Sequence, residues 1–366
     1  MEQNQCGIAL SPSPFFSIVK IACYSSAIIR WFRFKGFLNR DLRLLPPLAR
    51  RRYHSIFGEY LLLSNFEIYQ KITMSDQIEN EYKAIDAVVN IWTDEALSHR
   101  PDWGDEFFVD KMNAQSGLMA GLSLEQMIEK MEEASIEKAF LIAAHSGRIG
   151  MPGCYHMPYE VVARACEQYP DRFYGLAGID PFDGMDGVRA FEDAVTNMGF
   201  IGAHLYPHWY ELAPDHAKYY PFYMKCCELD VPIQMQVGQS MVYSKEYRTR
   251  SVGQPITLDT VACDFPELKL IGIHVGIPWH EEMISMAWKH ENIYIGSDAH
   301  RPKYWPKSFI HYLNSYGQDK VIFGTDFPVL EFKKSIDDID GLNLKPQVRK
   351  KLLRDNVIRI YGLDID

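Results

Sequence analysis

Eight short apolar runs, each followed by a longer stretch of helical spacing, succeed one another from residue 84 to the end of the chain, and this alternation constrains the fold more than any other feature. The runs are 84–90, 139–144, 173–178, 202–205, 232–236, 269–274, 293–297 and 321–324. Strands that alternate with helices are joined by crossovers and therefore run parallel. The helical segments fit that scheme. Ser123-Leu124-x-x-Met127-Ile128-x-x-Met131 opens on a serine with Gln126 three residues on, the pattern of a capping box. Residues 158–169, 187–198, 220–229, 281–290 and 306–316 fill further crossovers, and 345–361 reads as a closing helix. Eight strands in this order predict a (β/α)8 TIM barrel. The alternative is an open doubly wound sheet, but no G-x-G-x-x-G follows a strand and no Walker-type loop is present.

Composition narrows the function classes. With 366 residues, 47% hydrophobic and 23% charged, the chain is neither disordered nor fibrous, and it has room for a barrel of about 250 residues plus an extension. A net charge of -10 gives no general attraction to nucleic acid or to an anionic membrane, so the expected partner is a small-molecule substrate. A homo-oligomer is compatible with the sequence. The seven cysteines are odd in number and form no C-x-x-C pair, which reads as reduced thiols in a cytoplasmic protein.

Residues 1–73 stand apart. They hold ten lysines and arginines against four acidic residues, and their apolar run around 18–29 is too short and interrupted for a membrane span. A targeting segment, a peripheral basic anchor and upstream sequence outside the mature protein are the three readings. The third is favoured by Met74-Ser75-Asp76, an acidic start about ten residues before the first strand. The expected organisation is therefore a basic extension over 1–73 and a barrel over 74–366.

In this fold chemistry sits at the C-terminal ends of the strands. Those ends carry Asn90, His145, Asp180, His204 with Tyr206 and His208, Gln236, His274, Asp298 with His300, and Asp326. Alone, an aspartate there is as readily a helix cap as a catalyst, and a histidine as readily a satisfied core residue.

Together the motifs resemble the amidohydrolase-related family, the branch of aminocarboxymuconate semialdehyde decarboxylase, aromatic acid decarboxylases and lactone hydrolases. The resemblance covers roughly residues 84–362. It rests on Ile85-Asp86-Ala87, Gly199-Phe200-Ile201-Gly202, Ile273-His274-Val275-Gly276, Phe323-Gly324-Thr325-Asp326-Phe327-Pro328 and the closing Asn356-Val357-Ile358-Arg359-Ile360-Tyr361-Gly362. It implies a divalent metal held by a His-x-His pair on strand one, a histidine on strand five and the strand-eight aspartate, with the strand-six histidine activating water.

Asp326 and His274 match that pattern. The strand-one pair falls on Val88 and Asn90, and the strand-five histidine on Gln236. Valine has no lone pair, and amide oxygens are weak zinc ligands beside imidazole. Two options follow: a metal such as zinc relocated onto His204, His208, His274, His300 and Asp326, or no metal, with His274 as general base, Asp326 orienting it or protonating a carbon, and Asn90, Gln236 and Tyr206 donating to an oxyanion.

Family members without the strand-one pair resemble enzymes that hydrolyse aryl β-ketoacyl thioesters. The expectation is thus a hydrolase with His274 and Asp326 catalytic and Asn90, His204, Tyr206, Gln236 and Arg250 binding substrate. A decarboxylase of a β-keto or hydroxyaromatic acid is the alternative, and a non-catalytic barrel the competing class. Arg148 and the arginines of 245–251 are candidate anion binders or solvated loop residues. Cys226 and Cys227 read as helix packing, and Ser240, which lacks a nucleophile-elbow pattern, as loop.

Overall fold

The computed structural model describes residues 82–100, 107–108, 120–148, 154–241 and 248–365, so the expected boundary at 73/74 and the readings of the segment before it lie outside the described residues. Eight parallel strands form one sheet in sequence order: β1 (Ala84–Asn90), β2 (Ile136–Ala143), β3 (Phe173–Gly178), β4 (Phe200–Leu205), β5 (Ile233–Gln236), β6 (Leu270–Ile273), β7 (Ile293–Gly296) and β8 (Val321–Ile322). Backbone bonds from Ala87 to Phe323 (3.0 Å), Asn90 to Phe327 (3.0 Å) and Asp326 to Val88 (2.8 Å) bring the chain beyond β8 against β1, giving the nearly closed barrel. A two-stranded antiparallel pair, His145–Ser146 with Tyr155–His156, forms a separate small sheet directly after β2.

Helices fill the crossovers: α1 (Leu124–Glu133), α2 (Tyr159–Gln168), α3 (Gly184–Asn197), α4 (Tyr220–Glu228), α5 (Thr257–Asp264), α6 (His280–Lys289) and α7 (Lys307–Leu313). The capping box of α1 forms as expected: Ser123 Oγ accepts from Gln126 N (3.2 Å) and Gln126 Oε1 accepts from Ser123 N (2.9 Å). Four helices escaped the sequence reading: Asp94–Ser98 and Pro207–Tyr210, which are barely a turn long, and α5 and Phe332–Asp340, each a short amphipathic run between strong strand signals. The closing helix is continuous in place but not in type, with a π turn over Lys351–Asp355 between Pro346–Lys350 and Asn356–Tyr361. Among the described residues, no helix is long and apolar enough to cross a membrane.

Four strands end one or two residues before their apolar runs, β2 at Ala143, β6 at Ile273, β7 at Gly296 and β8 at Ile322, and two of these matter for the site. β6 stops at Ile273 and β8 at Ile322, where the next residues enter turns that aim side chains into the barrel mouth. The β8 turn is pinned to β1 by one buried carboxylate. Asp86 Oδ1 accepts from Thr325 N (3.0 Å) and Val88 N (3.1 Å), and Oδ2 accepts from Thr325 Oγ1 (2.7 Å). Gly324 lets the strands close up, since a Cβ there would lie 2.9 Å from Val88 Cγ2 and 3.0 Å from Asp298 Cβ. Both thiols behave as packing: Cys226 is buried in α4 and Cys227 half-buried beside it.

Replacing Thr325 with valine keeps the shape but removes one hydrogen bond to the buried Asp86, so unfolding free energy in urea is expected to drop by roughly 1–3 kcal/mol. A change below about 0.5 kcal/mol, the level of a neutral surface substitution, would remove this contact from the account of barrel closure.

Candidate active site

The strand ends enclose a cavity of about 130 Å³. Its lining includes Asn90 at the end of β1, Tyr206 beyond β4, Gln236 at the end of β5, His274 beyond β6, His300 beyond β7 and Asp326 beyond β8. His208 also reaches it, as do Arg100, Phe107, Phe108 and Trp209. Three of the turns carry non-glycine residues in the left-handed region: His274 (φ 67°) with Val275 (57°), Ala299 (61°) and Asp326 (56°). Such conformations cost about 1 kcal/mol or more each and persist where the surroundings over-determine them.

At the centre of the site three side chains from three strand ends meet. His274 Nε2 lies 3.3 Å from Asp298 Oδ2 and 3.7 Å from Asp326 Oδ2. The other oxygen of each carboxylate is held by the protein: Asp298 Oδ1 accepts from His274 N (3.0 Å), and Asp326 Oδ1 accepts from Asn90 Nδ2 (2.8 Å). Burial sets the charge states. It raises Asp298 to about 6, and it raises Asp326 well above the carboxylate range, with the Asp298 charge adding to it. Asp86, below them, is lifted by burial to about 7. His274 is pushed down to about 4 for the same reason.

Beneath the cavity lies a second buried network. Gln234 Nε2 donates to Ala87 O (2.7 Å) and to Tyr361 Oη (2.9 Å), which turns its Oε1 towards His204 Nδ1 at 3.1 Å. Nδ1 must therefore carry the ring proton, leaving Nε2 as a bare lone pair with no hydrogen-bond partner among the described residues. His208 has the opposite tautomer: its Nδ1 accepts from Val252 N (3.1 Å), so Nε2 carries the proton. Burial holds His204 near about 3, and His208 and His300 near about 4, so all three stay neutral.

The sequence-derived site residues fare differently. Asn90, Tyr206, His208, Gln236, His274, His300 and Asp326 come together on the cavity, while His204 lies just behind Tyr206 with the ring centroids 4.5 Å apart. Arg250 does not join them. Its side chain is 80% exposed, 3.7 Å from Glu211, because the loop after β5 turns it outward. Arg148 stacks on Phe182 at 4.2 Å, and Ser240 lines the cavity from its loop. Two residues went unassigned. Asp298 was visible as a polar strand end without a role, and Arg100 sits in a segment with no periodic signal. Arg100 lies 3.7 Å above the Trp92 ring and 5.0 Å from that of Phe108, and no carboxylate pairs with it among the described residues.

The ligand set implied by the family resemblance does not fit this chain. Val88 offers no donor atom and is fully buried. Asn90 presents its nitrogen, not its oxygen, to Asp326, and the same nitrogen donates to Phe327 O at 3.0 Å, which fixes the amide orientation. No step through a cation on strands one and five is available.

His145 supplies a pH test separate from the reaction. It is stacked between His156 (4.5 Å) and Tyr159 (4.9 Å), and burial first, then His156, lowers it to about 3. The folded state keeps it neutral while the unfolded chain takes up a proton near 6.5, so this stability is complete above pH 6.5 and is lost as pH falls towards 3. Between pH 7 and pH 5 the loss from this one group is roughly 2 kcal/mol. The raised carboxylates act in the opposite sense over the same range, so the group is isolated by difference: His145→Gln is expected to lose less stability than the unaltered chain over that interval. Parallel pH profiles of the two proteins would contradict the assignment.

Residues 85–363 match the amidohydrolase family. Curated relatives include a gamma-resorcylate decarboxylase of Rhodococcus jostii, 21% identical over 56% of this chain and 75% of that protein. They also include a 2-keto-4-carboxy-3-hexenedioate hydratase of Sphingobium, 28% identical over 33% of this chain and 40% of that one. Among solved structures, an uncharacterised TIM-barrel protein from Bordetella bronchiseptica superposes with a TM-score of 0.64 at 23% identity, covering 76% of this chain and 98% of that one. A 5-carboxyvanillate decarboxylase from Novosphingobium aromaticivorans, complexed with manganese, gives 0.58 at 18% identity over 77% and 97%. The barrel, the strand-end site and the match over most of the chain lead to one statement: this protein belongs to the amidohydrolase family.

Proposed function

We propose that this chain decarboxylates a hydroxyaromatic acid. The observation that carries the reading is the cavity: about 130 Å³, walled by Phe107, Phe108 and Trp209, with the Arg100 guanidinium on it and the His274–Asp298–Asp326 cluster at its base. An apolar space of about 150 Å³ accommodates a benzene-sized ring. Arg100, whose Nε is buried with no hydrogen-bond partner among the described residues, is a ready anion anchor, since a buried charge is costly until it is paired. The hydrolase expected from the motifs is the weaker reading, because the relatives that match most of this barrel are named for decarboxylation.

The chemistry needs little. A proton adds to the ring carbon that bears the carboxylate, a ring hydroxyl feeds electron density into that carbon, the carbon–carbon bond breaks and its electron pair restores the aromatic ring as carbon dioxide leaves. One proton is consumed and no water or oxidant enters. Arg100 would hold the carboxylate, and the His208 Nε2–H and the Tyr206 hydroxyl would donate to the ring oxygen. The proton would come from the His274–Asp298–Asp326 cluster, whose carboxyls burial makes better proton carriers than free ones.

The test is a panel of hydroxybenzoates carrying ¹³C in the carboxyl, incubated in D2O. Labelled carbon dioxide and one deuterium at the vacated ring position are expected in equal amounts. Arg100→Met should lower kcat/KM by about 100-fold, the equivalent of about 2.7 kcal/mol of charge-assisted bonding. If no hydroxybenzoate releases label while an aryl β-ketoacyl thioester is cleaved, the hydrolase reading replaces this one.

A further inference from the structure

We infer that the Tyr155 phenol is a further substrate-binding residue: beside Arg100, it is the second donor to the carboxylate of the acid that fills the cavity. The inference rests on the reading of that cavity as a hydroxybenzoate site. It adds the group that selects a carboxylate over other planar substituents of the same shape.

The observation behind it is a pair of unanswered donors. Tyr155 is 8% exposed and lines the cavity, yet its Oη is buried with no hydrogen-bond partner among the described residues. Arg100 Nε, on the same cavity, is in the same condition. The guanidinium carbon lies 5.4 Å from the centre of the Tyr155 ring, so the two groups are neighbours. Buried donors are costly until paired, and two beside one another suit a ligand with two acceptor atoms. A carboxylate offers an oxygen to each, and its charge strengthens both bonds. Burial raises Tyr155 above the ordinary phenol range and outweighs the opposing pull of Arg100, so the hydroxyl keeps its proton and stays a donor.

The fold holds this phenol in place from behind. Tyr155 belongs to the antiparallel pair after β2, where it faces Ser146. Side chains alternate along a strand. Ser146 and Tyr155 line the cavity, while His145 and His156 lie on the other face and stack on each other. That face is well fixed: His145 also stacks on Tyr159, its carbonyl accepts from Tyr210 Oη (3.0 Å), and His156 Nε2 bonds Gly147 O (2.8 Å). Gly178 at the end of β3 permits the arrangement, since a Cβ there would strike Ala143 O and His145 N. A backing of this kind leaves the phenol little to reorganise when a ligand enters.

The experiment measures, by calorimetry on the full-length protein, the affinity for two non-reacting probes of one shape, benzoate and nitrobenzene. Nitrobenzene is planar and neutral, and its oxygens accept weakly. The unaltered chain is expected to bind benzoate at least about tenfold more tightly than nitrobenzene. Tyr155→Phe keeps the ring and removes the hydroxyl, so it should weaken benzoate about tenfold and leave nitrobenzene within about twofold. A general loosening of the cavity would weaken both alike. Equal affinities of the unaltered chain for the two probes, unchanged benzoate binding in Tyr155→Phe, or parallel loss of both probes would overturn the assignment. Neither probe turns over, so the result is separate from the decarboxylation assay: label release together with unchanged benzoate binding in Tyr155→Phe would remove the phenol alone from the account.

Discussion

Two carboxylates and an imidazole forced together in a buried space govern the architecture of this barrel's mouth. Asp298 and Asp326 cannot both be charged there without something positive between them, and burial has already raised both. The surrounding structure is built to hold that tension. Left-handed turns at His274, Ala299 and Asp326 aim the groups inward, and Asn90 and the His274 amide each restrain one carboxylate oxygen. Asp86 fastens the β8 turn to β1, so that the barrel closes at the strand whose end Asn90 occupies.

The fold was legible because its signal is repetitive. Eight apolar runs in fixed alternation survive errors at any one of them, and the strands form within a few residues of where the runs lie. What escaped has local causes. α5 and the helix at Phe332–Asp340 are brief, and β6 and β8 end early because apolar residues continue into turns whose backbone, not whose hydrophobicity, decides their shape.

The site was half legible. His274, Asp326, Asn90 and Gln236 followed from motif and strand position, since a strand end fixes where a side chain points. Arg250 was drawn in from a loop on the active-site side of the barrel and lies outside, because a loop residue has no such constraint. Arg100 lies far from any motif and is held at the cavity by the rings of Trp92, Phe108 and Tyr155. The tautomers of His204 and His208 depend on partners distant in sequence and are not written in any local pattern.

Asn90 shows how a family position can be kept while its use changes. Where the family pattern asks for a metal-binding imidazole, this chain supplies an amide donor that grips Asp326. The decarboxylase reading is compatible with that exchange, because ring protonation asks for a proton source and an anion anchor before it asks for activated water.

The bond from Gln234 to Tyr361 carries a wider consequence. The final helix, remote from the mouth, helps decide which nitrogen of a central imidazole bears hydrogen. A chimera grafting another homologue's tail onto this core would remove one of the two acceptors that orient Gln234 and leave the Ala87 carbonyl alone to hold it, unless the phenol travelled with the graft.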